Sequence, residues 1–116
     1  MRLTLDPNFG LRGLTIKQPY ASQIASGEKT IEYRGWASDY RGDLLITASA
    51  NPKTEGPHAC TICVVELWGD LREHKGCEWY LRNPRPVKQL AVKGYQGLWI
   101  VKPELAARLG LEIDPR

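Results

Sequence analysis

Apolar and polar positions alternate over short distances along most of the chain, and this pattern predicts more strand than helix. The segment LTI at 14–16 reads as a short first strand, and KTIEYRGW at 29–36 alternates with the period of a half-buried strand. Longer apolar runs predict three further strands, LLITASA at 44–50, CTICVVELWG at 60–69 and LWIV at 98–101. The second of these runs is the strongest strand signal in the sequence.

Helix signals are few and brief. In QPYASQIASG at 18–27, Pro19 suits a first helical position and Gly27 supplies a left-handed stop. PELAARLG at 103–110 has the same arrangement of an early proline and a final glycine. The segment DLREHKGCEWYL at 70–81 predicts one or two helical turns.

The remaining segments carry turn and loop signals. Residues 1–12 are predicted to be a loose lead-in, NPKTEGP at 51–57 a polar loop, and the proline-containing stretch 83–97 irregular or edge-like. Several short strands with few short helices predict an α+β fold that is mainly β, a small barrel or strongly curved sheet with short flanking helices. A doubly wound parallel sheet is disfavoured because these helices are too few to cover both of its faces.

The length of 116 residues indicates one domain, and 42% hydrophobic with 25% charged residues is ordinary for a globular protein. No apolar run approaches the roughly 20 residues of a membrane span, and the N-terminus lacks the hydrophobic region of a signal peptide. We therefore expect no membrane association and a cytoplasmic location. The three cysteines make a disulfide framework unlikely in such a chain.

Cys60 and Cys63 invite a metal or redox interpretation because His58 lies nearby. Two residues three apart on an extended strand point to opposite faces, so they do not readily chelate one tetrahedral ion. We expect both cysteines to be small core residues. The sequence predicts neither a metal site nor a cofactor.

Charge is unevenly distributed. Between Glu78 and Glu104 there is no acidic residue, whereas four basic residues that are candidates for phosphate contacts fall there: Arg82, Arg85, Lys88 and Lys93. They are interleaved with Trp79, Tyr80, Tyr95 and Trp99, an arrangement that suits a phosphate backbone with bases to stack on. The alternative is a solvated face above core aromatics.

Three charged side chains gather where the first helix leads into the second strand. Glu32 and Arg34 project from one face of the predicted strand, and Lys29 lies at the junction. A carboxylate between two cations favours its ionised form, which makes Glu32 a better hydrogen-bond acceptor than a general acid. Such a group can hold an exocyclic amine while the cations take carbonyl or phosphate oxygens. The alternative is an internal salt bridge that fixes the junction.

Aromatic residues near this cluster complete the predicted site. Trp36 and Tyr40 are the candidates for contact with a ligand, and Trp68 and Trp99 are expected mainly in the core. The Lys93-Gly94-x-x-Gly97 segment lacks the GK[ST] ending of a phosphate loop, which excludes an NTPase. Its glycines are better explained by close backbone approach or a tight turn.

The pattern Gly27-x-Lys29-x-x-Glu32-x-Arg34 resembles the GxKxxExR signature of the ASCH domain family, a PUA-like group. The resemblance extends over residues 13–101, including segments similar to those of many bacterial and phage-type members: LTIKQPYASQIASGEKTIEYR, WASDYRGDLLITASA and LRNPRPVKQLAVKGYQGLW. It implies a single PUA-like β-barrel domain over residues 1–116, with a core at about 13–109 and a cleft beside the motif. Gly27, Lys29, Glu32 and Arg34 inherit the motif's binding role.

The resemblance implies RNA or single-stranded nucleic acid as the partner, or a nucleoside or nucleotide ligand. It also leaves enzymatic alternatives. A subgroup hydrolyses the amide of N4-acetylcytidine, which would make Lys29 and Glu32 catalytic; that subgroup has threonine where this chain has Glu32, and its catalytic glutamate has no assignable counterpart here. Ribonuclease activity is a weaker alternative. A purely structural cluster in a domain that acts through a protein partner is the third possibility.

Overall fold

The computed structural model describes residues 1–113, so the predicted domain end at residue 116 lies outside the described part. The elements, in chain order, are β1 (Arg12–Ile16), α1 (Tyr20–Ser26), β2 (Ile31–Arg34), β3 (Gly42–Ala48), β4 (Cys60–Glu73), β5 (Gly76–Pro86), β6 (Leu98–Ile100) and α2 (Pro103–Arg108). Within this part, no helix is long enough and apolar enough to cross a membrane.

The six strands form one sheet in the order β2-β5-β4-β3-β1-β6. β1 and β3 are parallel and are connected through α1 and β2, whereas the other neighbouring strands are antiparallel. The sheet curls into a half-barrel, which confirms the predicted mainly-β, PUA-like architecture with short helices. Because β1 and β3 run in the same direction, their carboxyl ends meet at one edge of the sheet.

The predicted helical turns at 70–81 are wrong. This segment forms the tip and both arms of a long hairpin, in which Glu73 pairs with Gly76 and Arg72 with Cys77. Cys77, Trp79 and Leu81 are buried while their neighbours are more exposed, so the period of two was present in the sequence. The same strand continues to Pro86, beyond the point at which the prolines suggested irregular structure.

Helix α1 is anchored to the sheet through buried Ala21 and Ile24, and it ends as predicted at Gly27, whose φ is +85°. Pro19 occupies the N-cap position rather than the first helical position. Gln18 is almost fully buried; its Oε1 accepts a hydrogen bond from the Ser22 amide at 3.0 Å, and its Nε2 donates to the Pro57 carbonyl at 2.8 Å. This side chain therefore ties the start of the helix to the 51–57 loop.

Two hydrophobic clusters hold the sheet, and the second includes residues from the predicted lead-in. Leu3 and Leu11 are buried in it together with Leu111, so residues 1–12 are not loose and the packed core extends beyond 13–109. The buried Asp6 accepts a hydrogen bond from the Arg41 amide at 2.8 Å, which fixes this segment against the start of β3.

Candidate functional site

The three charged side chains at the α1–β2 junction meet as an ion triad. One oxygen of Glu32 lies 3.5 Å from the Lys29 ammonium, and the other lies 2.9 Å from Nη2 of Arg34. Each side chain is at most 23% exposed. The carboxylate therefore lies between two cations, as predicted, but both of its oxygens are already engaged.

Lys29 is enclosed on several sides. Its ammonium lies 5.4 Å from the ring centroid of Tyr20 and 5.4 Å from that of Tyr33, in addition to its contact with Glu32. Together with Gly27 it borders a narrow space of about 20 Å³. Gly27 and Lys29 do not line the larger cleft that Arg34 borders.

Arg34 connects the triad to a much larger hollow. Its Nη2 donates to Glu32 and also to the Thr15 carbonyl at 3.3 Å, which fixes the guanidinium against the end of β1. Its Nε is buried and has no hydrogen-bond partner within the protein. Arg34 borders a cleft of about 770 Å³.

We call this hollow the central cleft. It is formed by the carboxyl ends of the parallel strands β1 and β3, by the residues at the end of β2 and by segment 92–97. The residues that border it are Thr15, Lys17, Arg34, Trp36, Ser49, Ala50, Ala59, Val92, Lys93, Gly94, Tyr95, Gln96 and Gly97.

Segment 92–97 is held against β1 by Thr15. The Thr15 hydroxyl oxygen accepts from the Tyr95 amide and from Nε1 of Trp99, both at 3.2 Å, and it lies 3.1 Å from Oγ1 of Thr47. A Cβ on Gly94 would lie 2.8 Å from the Thr15 methyl group, and Gly97 has a left-handed φ of +69°. The interpretation of these glycines as sites of close approach and turning is confirmed.

The cleft combines positive charge with exposed aromatic rings. Its lining, within the described residues, contains Lys17, Arg34 and Lys93 and no carboxylate. Trp36 and Tyr95 are 43% and 52% exposed. Ser49 contributes a buried hydroxyl that, like Nε of Arg34, has no hydrogen-bond partner within the protein.

Of the two aromatic residues predicted to contact a ligand, Trp36 borders the central cleft and Tyr40 does not. Tyr40 is fully buried, and its hydroxyl donates to the Asp43 carbonyl at 2.6 Å. Burial, followed by the nearby Asp43 and Asp6 carboxylates, raises the pKa of this phenol. Tyr40 is therefore a core residue rather than a cleft residue.

The tryptophans are distributed differently from the prediction. Trp68 is 47% exposed and not in the core, whereas Trp99 is partly buried against the second cluster. The fully buried Trp79 packs edge-on against Trp36 at 4.7 Å, and its Nε1 donates to the Trp36 carbonyl at 3.1 Å. Trp79 therefore positions Trp36 at the cleft.

The predicted basic surface is interrupted by ion pairs from other strands. Arg82 forms a two-point contact with Glu66, with both distances 3.1 Å, and Arg85 pairs with the buried Asp43 at 2.6 Å. Lys88 and Lys93 are exposed. All four predicted cations lie within the described residues, and among them Lys93 alone is in the lining of the central cleft. Acids that are distant in sequence thus neutralise the two arginines.

Cys60, Cys63 and Cys77 are free and buried, which confirms the interpretation of Cys60 and Cys63 as core residues. Burial raises the pKa of the Cys63 thiol to about 12, although the Arg85 charge acts in the opposite direction. Buried thiols with a raised pKa carry little thiolate and serve as packing groups.

Sequence reasoning missed Thr15, Lys17 and Ser49 as cleft residues. Each lies at or just beyond the carboxyl end of β1 or β3. Polar residues at the ends of strands are a usable signal only when the strands are known to be parallel and adjacent. That pairing is not readable from the alternation of apolar positions.

Comparison with known proteins agrees with this architecture. The ASCH domain family matches residues 14–97. A crystal structure of a serine-to-alanine variant of ZmASCH from Zymomonas mobilis superposes with a TM-score of 0.70 at 14% identity, covering 90% of this chain and 97% of that one. A crystal structure of ASCH from Zymomonas mobilis gives a TM-score of 0.68, also at 14% identity, covering 89% of this chain and 99% of that one.

No curated protein shows a significant sequence match. The family match spans most of the chain, and the structural likeness independently gives the same fold. The chain belongs to the ASCH domain family.

Proposed function

We propose that the central cleft binds a nucleotide of single-stranded RNA. The family has a PUA-like fold that is often linked to RNA binding. The observation that carries the proposal is the location of two buried polar atoms, Nε of Arg34 and Oγ of Ser49. Both lack a hydrogen-bond partner within the protein, and both residues border the same cleft.

An unsatisfied buried polar group costs about 1–3 kcal/mol, so a ligand that bonds to both atoms recovers that cost. Nε of Arg34 can only donate and therefore requires an acceptor such as a base carbonyl or a phosphate oxygen. The Ser49 hydroxyl can donate or accept and so suits either edge of a base. The two groups therefore require a polar ligand that carries at least one strong hydrogen-bond acceptor.

The other cleft residues fit a nucleotide in particular. The volume of about 770 Å³ lies within the range of small-molecule sites. The exposed rings of Trp36 and Tyr95 offer stacking surfaces, and the exposed Lys17 and Lys93 offer charge for phosphates. Because these four groups are accessible at the surface, the bound nucleotide can be part of a longer strand.

Within this proposal, Glu32 and Lys29 are positioning residues. The Glu32 carboxylate holds the Arg34 guanidinium in place, and Lys29 balances its second oxygen. This differs from a role in which Glu32 itself accepts a base amine. The amide-hydrolase alternative gains no support from Lys29, because its ammonium is directed to Glu32 and two aromatic rings rather than to the central cleft.

The test is binding of a fluorescein-labelled 10-nucleotide single-stranded RNA of mixed sequence, measured by anisotropy at low salt. The variant Arg34→Lys keeps a cation beside Glu32 but removes Nε and the planar fork. We expect it to bind at least tenfold more weakly than the unmodified chain. The matched control is Arg72→Lys, at an exposed position near the end of β4, and it should leave the affinity within twofold.

Absence of binding to RNA at low salt, or equal affinity for Arg34→Lys and Arg72→Lys, would refute the proposal. Circular dichroism of each variant verifies that the fold is retained. A parallel incubation with N4-acetylcytidine tests the hydrolase alternative. Release of cytidine that disappears in Lys29→Ala would replace the binding proposal with an enzymatic one.

A further inference from the structure

A second cavity adjoins the central cleft. It has a volume of about 480 Å³ and lies between segment 91–95, the end of β6 and helix α2. We call it the C-terminal pocket. Three residues, Val92, Lys93 and Tyr95, border both cavities and so form a shared wall.

The C-terminal pocket is apolar inside. Val92, Trp99 and Leu105 line it, and Ile100 is 67% exposed at its surface. The exposed Tyr95 packs against Trp99 with ring centroids 5.4 Å apart. Aromatic and aliphatic walls of this kind suit a flat, weakly polar group such as a nucleobase.

Three cations border the same pocket, Lys93, Lys102 and Arg108, and its lining within the described residues contains no carboxylate. Lys102 and Arg108 form no ion pair with any described residue. Arg108 lies in the last turn of α2, where a cation favours the helix. Lys102 lies at the N-cap of α2, where a positive charge does not stabilise the helix. Helix stability therefore does not account for a lysine at this position.

We infer that the C-terminal pocket binds the nucleotide adjacent to the one in the central cleft, with Tyr95 between the two bases. The inference rests on the proposed function of the cleft and extends it to a two-nucleotide site. Lys102 and Arg108 neutralise the phosphate of the second nucleotide, and the Val92, Trp99 and Leu105 surfaces cover its base. The ammonium of Lys93 lies 5.8 Å from the Tyr95 ring centroid, at the boundary between the two cavities.

The experiment compares competitors of different length against the labelled 10-nucleotide RNA. Unlabelled uridine monophosphate occupies one subsite, and the 5′-phosphorylated dinucleotide of uridine occupies two. For the unmodified chain we expect the dinucleotide to compete at least tenfold more strongly than the mononucleotide. The variant Lys102→Ala/Arg108→Ala should lose this advantage while keeping its affinity for the mononucleotide.

Salt dependence provides a second measurement on the same proteins. The slope of log K against log salt for the 10-nucleotide RNA should become shallower by about 0.7 for each lost phosphate contact. The matched control is Arg72→Ala/Lys75→Ala, which removes two exposed cations from the β4–β5 hairpin, outside both cavities. The control should retain both the dinucleotide advantage and the slope.

The outcomes separate the two proposals. If the unmodified chain binds RNA and Arg34→Lys weakens binding, but Lys102→Ala/Arg108→Ala retains the dinucleotide advantage, the second subsite is refuted and the central cleft stands. If the unmodified chain binds no RNA at all, both proposals fall. Lys102 and Arg108 are exposed, so their replacement should leave the thermal unfolding midpoint near that of the control.

Discussion

At the scale of single residues, the decisive feature is that one carboxylate fixes two cations and leaves one of them facing a cleft. Glu32 is the common partner of Lys29 and Arg34, and its side chain is only 12% exposed. Arg34 also contacts the Thr15 carbonyl, so its guanidinium has little freedom of orientation. A donor that is fixed in advance binds its acceptor without a further loss of side-chain entropy.

Replacing Glu32 therefore has consequences for both stability and binding. Glu32→Gln leaves two partly buried cations without their counter-charge, and we expect the free energy of unfolding in urea to fall by about 1–3 kcal/mol. RNA affinity should fall as well, because Arg34 is no longer held in one orientation.

The matched control for this prediction is Glu28→Gln. Glu28 is exposed, lies in the same junction and forms no ion pair with residues 1–113. Its replacement should change the unfolding free energy by less than about 0.5 kcal/mol. Equal stability of the two variants would show that the triad contributes nothing to the fold.

At the scale of elements, the cleft depends on how closely segment 92–97 approaches β1. Three hydrogen-bonding partners surround the Thr15 hydroxyl, from Thr47, Tyr95 and Trp99. Gly94 permits the short distance, because a Cβ at this position would lie 2.8 Å from the Thr15 methyl group. The position of this wall of the cleft therefore depends on the Thr15 side chain of β1 and on the lack of a side chain at Gly94.

Gly94→Ala tests this arrangement. The added methyl group would lie 2.8 Å from the Thr15 methyl group, and Thr15 cannot move aside without losing its hydrogen bonds. We expect segment 92–97 to shift outward and RNA affinity, measured by anisotropy, to fall about tenfold.

The control is Gly35→Ala, since an added Cβ at Gly35 meets no atom within 4 Å. Affinity should be unchanged by this replacement. An unchanged affinity in Gly94→Ala as well would show that the position of the wall does not matter for binding.

At the scale of the whole molecule, the half-barrel is stabilised by clusters on both faces of the sheet, and the N-terminal segment closes the second of them. Leu3 is 4% exposed, and Asp43 joins this segment to β5 by accepting from the Thr4 amide at 2.7 Å and pairing with Arg85. Arg85 is therefore engaged in an ion pair that connects β5 to the N-terminal segment through Asp43.

Leu3→Ala should lower the free energy of unfolding by about 2–4 kcal/mol, because it leaves a cavity in the second cluster. Chemical denaturation followed by tryptophan fluorescence measures this change. Leu71→Ala, at a position that is 50% exposed, should cost less than about 0.5 kcal/mol. Similar small losses for both would mean that the first residues do not pack as described.

The sequence alone determined the local features whose physical causes are local. The ends of α1 and α2 follow from proline and glycine, and the mainly-β class follows from the number and length of the elements. The apolar runs 44–50 and 60–69 predicted the existence of β3 and β4, although these strands span Gly42–Ala48 and Cys60–Glu73. The proximity of Lys29, Glu32 and Arg34 also followed from local spacing, since strand residues two apart share a face.

Only the tertiary structure decided which groups face the cleft. Arg82 and Arg85 look unpaired in the sequence because Glu66 and Asp43 lie on other strands, and Thr15 and Ser49 become neighbours only through the parallel pairing of β1 and β3. Tyr40, expected at the cleft, is fully buried, and Trp68, expected in the core, is 47% exposed, because burial depends on what covers each face of the curled sheet. Such contacts join residues that are distant in the chain, and their energies are set by three-dimensional packing rather than by the periodicity of a segment.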